Sequence, residues 1–323
     1  MKRFNYLISL AAAGLLTVGC GGQLVPTATT NNSTPIKIDL ITTLSGQNAD
    51  LGNWNWNGVK LAIDQANAKG GVNGRKLELT KLDDQGQPTV GTDLARRAIS
   101  DQATLVYGSD LSTVSLAMIP ILTEAKIPQI TSGQAPALLK QGSSYVFVDS
   151  TTSAVFDTTL ADYVVQKLNL KSIAMVTNNG AYGKGEHDSF LTELGKLGVQ
   201  PTMDKVVTPD QKDFTAVLSE VRGTSPKVLF IGADEVETGL IAKQARSLGI
   251  TATFAGGAPM GTPTYVQTAG TDVVEGTVMT SPYLTNDANA KTRAFADGRR
   301  ASSATAATAS AVSGCPARNR RSV

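Results

Sequence analysis

From Ile36 onward the chain alternates short runs of β-branched and aliphatic residues with longer stretches in which apolar positions recur at helical spacing. Strand then helix, repeated, is the rhythm of a parallel sheet covered on both faces. The pattern predicts strands over 36–43, 76–82, 104–108 and 128–131, with helices over 58–69, 90–101 and 113–125 between them. In the first helix Val59, Ala62, Ile63 and Ala66 form one apolar stripe,. Lys69-Gly70-Gly71 ends it, with a cation in the last turn and a glycine to reverse the chain,.

The plan then repeats. Strands are predicted over 172–177, 199–207, 228–232, 251–255 and 276–280, separated by helices over 154–168, 185–197, 214–222 and 235–248. The fold class is therefore α/β, with two doubly wound parallel-sheet lobes at 36–149 and 150–280 and a return towards the first lobe over 281–298. In such sheets a small ligand lies beyond the carboxyl ends of the strands, at the switch in strand order, so two facing lobes imply a cleft between them.

The ends follow different rules. Lys2 and Arg3 precede an apolar run over 7–18, too short for a permanent bilayer span, which reads as an export signal,. The run closes in Leu16-Thr17-Val18-Gly19-Cys20, which resembles a bacterial lipobox, although Thr17 and Val18 depart from its preferred residues. Residues 1–20 are thus expected to be a lipoprotein signal with Cys20 as the lipidated residue, and the uncharged 21–35 a flexible tether to a membrane anchor,. At the other end 299–323 is low in complexity, with 19 of its 25 residues Ala, Ser, Thr or Arg. No strand or apolar helix face runs through it.

Charge sharpens this division. The formal net charge is +2, from 29 Lys+Arg and 27 Asp+Glu, but seven of the basic residues are Lys2, Arg3, Arg299, Arg300, Arg318, Arg320 and Arg321. The body over 20–298 keeps 22 basic against 27 acidic residues and is a poor partner for nucleic acid,. Two cysteines and one histidine, His187, leave no metal cluster or redox pair, and no cofactor is expected,.

Several loops after strands carry candidate chemistry. Gly108-Ser109-Asp110 to Thr113 opens a helix, where hydroxyls and backbone N–H groups can cap the helix and hold a carboxylate,. Asn178-Asn179-Gly180-Ala181-Tyr182-Gly183-Lys184 matches neither a Walker loop nor the Rossmann glycine spacing,. His187 reads as an exposed structural residue, and Asp83-Asp84 as a solvated turn. Asp234-Glu235 is either a helix cap or a ligand contact,. Trp54 and Trp56 alternate with asparagines, as a stacking platform or as cover over a cleft rim,. No nucleophile, general base and oxyanion donor assemble, so an enzyme is not expected.

Taken together, Leu44-Ser45-Gly46, Asn67-Ala68-Lys69-Gly70-Gly71-Val72-Asn73-Gly74, Asp83-Asp84, Tyr182-Gly183, Lys212-Asp213-Phe214, Gln244-Ala245-Arg246 and Glu275-Gly276 resemble the leucine/isoleucine/valine-binding proteins of ABC transporters, from about 36 to 287. The resemblance implies the type I periplasmic binding fold, closure on one amino acid or amide, and delivery to membrane permease subunits. It implies that Ser112 and Thr113 take the ligand carboxylate, that Gly133 and Gln134 hold its head group, that Tyr182 closes over it, and that Asp234 is a further contact. The acidic partner of the ligand ammonium falls at Ala258, so Asp234 is the candidate replacement. Two other readings stay open, a ligand-sensing lobe pair of a receptor or regulator and an amide hydrolase. The resemblance further implies that the family completes its first lobe from about 295, so 299–323 reads either as the product of a frameshift or gene-end change that leaves that lobe short of its C-terminal part, or as a disordered extension,.

Overall fold

The computed structural model describes residues 34–281 and 289–298. The signal with Cys20, the tether up to Ser33, and the 299–323 tail with Cys315 lie outside the described residues. Among the described residues no helix is long and apolar enough to cross a membrane.

Among the described residues ten strands form two five-stranded sheets, parallel throughout. The first holds β1 (Ile36–Thr42), β2 (Leu77–Asp83), β3 (Leu105–Gly108), β4 (Gln129–Thr131) and β5 (Val146–Val148), in the order β2-β1-β3-β4-β5. Its helices are α1 (Ala49–Ala68), α2 (Pro88–Ser100) and α3 (Ser112–Glu124). The second holds β6 (Ile173–Asn178), β7 (Met203–Val207), β8 (Val228–Gly232), β9 (Thr253–Gly256) and β10 (Val278–Met279), in the order β10-β9-β8-β6-β7. Its helices are α4 (Ser153–Asp162), α5 (Ala181–Lys196), α6 (Thr215–Gly223), α7 (Glu235–Ser247), α8 (Pro263–Ala269) and α9 (Thr271–Val274). Strand order reverses between β1 and β3 in one sheet and between β6 and β8 in the other.

The second sheet shows why its sequence reads as continuous apolar runs. Every residue of β6 and β8 is buried, as a parallel strand covered on both faces requires,. Alternate side chains part to opposite faces: Leu229 and Ile231 pack with Phe214, Leu218 and Ile241, while Val228 and Phe230 pack with Leu160, Phe190 and Leu194,. In the first lobe Ile41 and Val106 pack against Ala95, Val114, Met118 and Leu122 of α2 and α3. On its other face α1 approaches so closely that a Cβ on Gly52 would lie 1.7 Å from the Thr43 carbonyl oxygen. The helix over 290–298 lies beside α1, where a Cβ on Gly298 would be 3.6 Å from a Leu61 methyl.

Three predicted elements differ, and β5, α8 and α9 are additional. Helix α1 starts at Ala49 rather than at 58, because the Asn/Trp alternation over 53–57 is helical. The predicted helix over 154–168 is α4 followed by a π-helical turn, Tyr163–Lys167. Strand β7 is shorter than 199–207: Gly198 takes a positive φ of 69° and the Val199 N–H returns to the Leu194 carbonyl, so these residues close α5,. The three-residue β5 carries too little pattern to be predicted,.

Candidate ligand-binding site

Four strand ends converge on the switch points. After β3 the chain turns at Gly108, φ 134°, where a Cβ would lie 1.8 Å from the Ile41 carbonyl oxygen, so only glycine fits,. The next residues are tied to their neighbours. Thr42 Oγ1 and the Thr43 N–H donate to Asp110 Oδ1, at 2.6 and 3.0 Å. Ser109 Oγ donates to Asp84 Oδ2, and Ser115 and Thr131 hydroxyls donate to the Ser109 carbonyl. Asp84, expected in a solvated turn, is instead fully buried and also accepts from Thr43 Oγ1 and the Gly86 N–H. It is the post that holds the loops after β1, β2 and β3 together.

This frame aims the N-terminus of α3 into the cleft, where the amides of its first turn have no helical acceptor,. Ser112 Oγ accepts from the Gln134 and Ala135 N–H groups, at 3.1 and 3.2 Å, which leaves its own proton to donate,. Thr113 Oγ1 accepts from the Ala181 N–H at 2.9 Å, a bond between the lobes. Other bonds between lobes join Thr264 to Asp50, Gln47 to Asp210 and Lys212 to Gln47.

On the second lobe Gly183 sits on the end of β6; a Cβ there would be 2.1 Å from Asn178 Oδ1. That contact seats the first turn of α5 and its Tyr182, whose hydroxyl is buried without a hydrogen-bond partner. Asp234 precedes α7 and Glu235 and Glu237 occupy its first turn, where the helix dipole favours them,. Burial nonetheless pushes the Asp234 carboxyl well up, helped by the charges of Glu235 and Glu237 and opposed by the Asn178 amide. Glu235 is pushed up to about 7, first by burial and then by Asp110 and Asp50. Asp110 rises to about 6 through burial and the charge of Asp84, against the hydrogen bond from Thr42.

Two adjoining cavities open here, of about 410 and about 890 Å³. Ser112, Tyr182 and Asp234 line both, Thr113 only the smaller, and Gln134 only the larger. Gly133 lines neither: its N–H donates to Thr131 Oγ1, and it packs behind the wall against Leu138 and Ser112. Ala258 forms part of the larger wall. Trp54 lines that cavity from α1, whereas Trp56 lies under the Lys81 ammonium, 4.8 Å from its ring centre, so the two indoles form no shared platform. His187 is partly covered rather than exposed, its ring bridging Asp188 and Asp204 at 3.0 Å each. Asp110 and Glu235, which the sequence does not single out as separate contacts, line the larger cavity. Among the described residues no group of three or more His, Cys, Asp or Glu is placed to hold a metal ion.

A positive helix end on one lobe facing carboxylates on the other is complementary to a small zwitterion. Residues 35–315 match the family described as periplasmic binding protein, past the point near 287 where the motifs end. The chain is 32% identical over 247 residues to a Leu/Ile/Val-binding protein, BraC3, of Rhizobium johnstonii, covering 76% of this chain and 67% of that protein. It is 31% identical over 260 residues to an amino acid binding protein of Pseudomonas aeruginosa, covering 79% and 70%. Among solved structures, a leucine-binding protein of Thermotoga maritima superposes with a TM-score of 0.77 at 26% identity, covering 83% of this chain and 76% of the other. A branched-chain amino acid transporter binding protein of Streptococcus pneumoniae, in complex with isoleucine, gives 0.76 at 26% identity, covering 83% and 77%. With the sheet orders, the switch-point cleft and these likenesses in agreement, the chain belongs to the periplasmic binding protein family, of the leucine/isoleucine/valine-binding type.

Proposed function

We propose that this protein is the extracytoplasmic solute-binding component of an ABC importer, capturing an amino acid or related amide between its lobes and presenting it to a membrane permease without chemical turnover. The observation that carries this is the opposition of the α3 N-terminus with Ser112 on one lobe to Asp234 on the other, across one cavity. In this reading the ligand carboxylate takes the α3 amides and the Ser112 proton. Its ammonium takes Asp234 in place of an acid at Ala258, and Tyr182 covers it. The Gly133 amide is spent on Thr131, so the head-group role falls to the Gln134 side chain, whose Oε1 is buried without a partner.

Titration calorimetry with leucine, isoleucine, their amides and urea is the direct test. Ser112→Ala and Tyr182→Ala are each expected to weaken binding by about fivefold to tenfold, the loss of one hydrogen bond of about 1 kcal/mol. No heat with any of these or with L-lysine from folded protein overturns the reading. The anchor is tested separately: cells expressing the full chain should incorporate labelled palmitate and retain the protein, and Cys20→Ala should release it. Equal release of both removes the lipid from the proposal.

A further inference from the structure

We propose that the solute carries a second positive charge, an ammonium or guanidinium on its side chain as in a basic amino acid, held between Asp110 of the first lobe and Glu235 of the second. This rests on the solute-capture reading and names the substrate class of that same site.

A simple zwitterion has one ammonium, which Asp234 satisfies. Asp110 and Glu235 then remain in the larger cavity, each only 6% exposed. Asp110 Oδ1 is engaged by Thr42 and Thr43, but Oδ2 is buried and has no partner. A buried carboxylate oxygen left unpaired in the wall of a cavity is costly unless the side chain turns to meet a donor there. Among the described residues no lysine, arginine or histidine lines that cavity. The Lys212 ammonium donates to Gln47, which lines the smaller cavity, and is absent from the larger one. The two carboxyls belong to different lobes and line one cavity, and the Asp110 charge raises the proton affinity of Glu235, so ionising both with the lobes together sets like charges across the cleft. A cation between them turns that repulsion into attraction. The remaining wall suits a methylene stem: Leu51, Trp54, Pro259 and Met279 line the same cavity,.

The test compares L-lysine with L-norleucine, which has lysine's aliphatic stem without the terminal ammonium, by titration calorimetry on the intact chain, with L-leucine as a third ligand. Lysine is expected to bind about tenfold tighter than norleucine or better, and the advantage should shrink between about 50 and about 500 mM salt, as screening weakens the pair. Glu235→Gln should cut the lysine-to-norleucine ratio by about fivefold or more. Asp110→Asn should do the same, and because Asp110 also braces the loop, circular dichroism establishes its fold and Glu235→Gln carries the decision. Norleucine binding as tightly as lysine, or a ratio that Glu235→Gln leaves unchanged, overturns the inference. If leucine and norleucine bind and lysine does not, this inference fails alone. If no ligand gives heat, solute capture fails with it.

Discussion

Replacing Phe230 by alanine is expected to cost the second lobe about 3–5 kcal/mol, a large part of the stability of a lobe this size. Phe230 lies on the central strand β8, wholly buried, and its ring stacks on that of Phe190 from α5 with centroids 3.9 Å apart and planes 8° from parallel. The neighbours are Leu160, Leu194 and Met175, held by strands and helices on every side, so the space cannot close by collapse,. The measurement is urea unfolding followed by two signals. Both tryptophans, Trp54 and Trp56, lie on α1 of the first lobe, so their fluorescence reports that lobe, while far-UV dichroism reports both. The variant should lose a large part of its dichroism at lower urea than the wild type, ahead of the fluorescence change. A midpoint shift worth less than about 1 kcal/mol would show that the stacked pair is not central to the lobe.

Glu186→Met is expected to act in the opposite direction, stabilising the protein by about 1–4 kcal/mol near neutral pH. Glu186 and Asp157 are both fully buried on facing helices α5 and α4, and none of their four carboxyl oxygens has a hydrogen-bond partner. Burial pushes both carboxyls above their ordinary range, with the charge of Glu186 adding to it for Asp157 and the Tyr182 hydroxyl opposing it for Glu186. The folded protein therefore holds protons that the unfolded chain has released, so stability falls as pH rises from the ordinary carboxylate range towards the raised values. Methionine has nearly the same reach and no charge to desolvate. Thermal midpoints at about pH 5 and about pH 8 should show a small gain at the lower pH and a larger one, of several degrees, at the higher. A variant no more stable than wild type at about pH 8 would mean the pair is solvated or neutralised by a bound cation.

How much of the fold and site is legible in the sequence depends on how local the signal is. The lobes, the parallel sheets and nearly every strand of five or more residues follow from apolar runs, because burial on both faces leaves no alternative pattern. That Ser112, Tyr182 and Asp234 line the cleft is legible because each sits at a strand-to-helix junction at the switch points. Glu186 is not: four residues along from Tyr182 in a polar helix segment, it reads as a solvated face, and only the packing of α4 on α5 buries it. Asp84 and Gly133 escape the pattern for the same reason. Their partners, Ser109 and Thr131 among them, come from other strands, and no spacing along the chain shows which strand ends meet.

The bonds between the lobes bear on how often the cleft is shut. Thr113 to Ala181, Thr264 to Asp50 and the Gln47 contacts with Asp210 and Lys212 are mostly exposed, and each is exchanged for water when the lobes part, at about 1 kcal/mol apiece or less,. By themselves they bias the equilibrium between shut and open forms by a few kcal/mol at most. Apparent affinity is then the intrinsic affinity scaled by the shut fraction. In the proposed capture of a solute, these polar contacts weigh equally on every solute, while selection falls to the carboxyls inside the cleft.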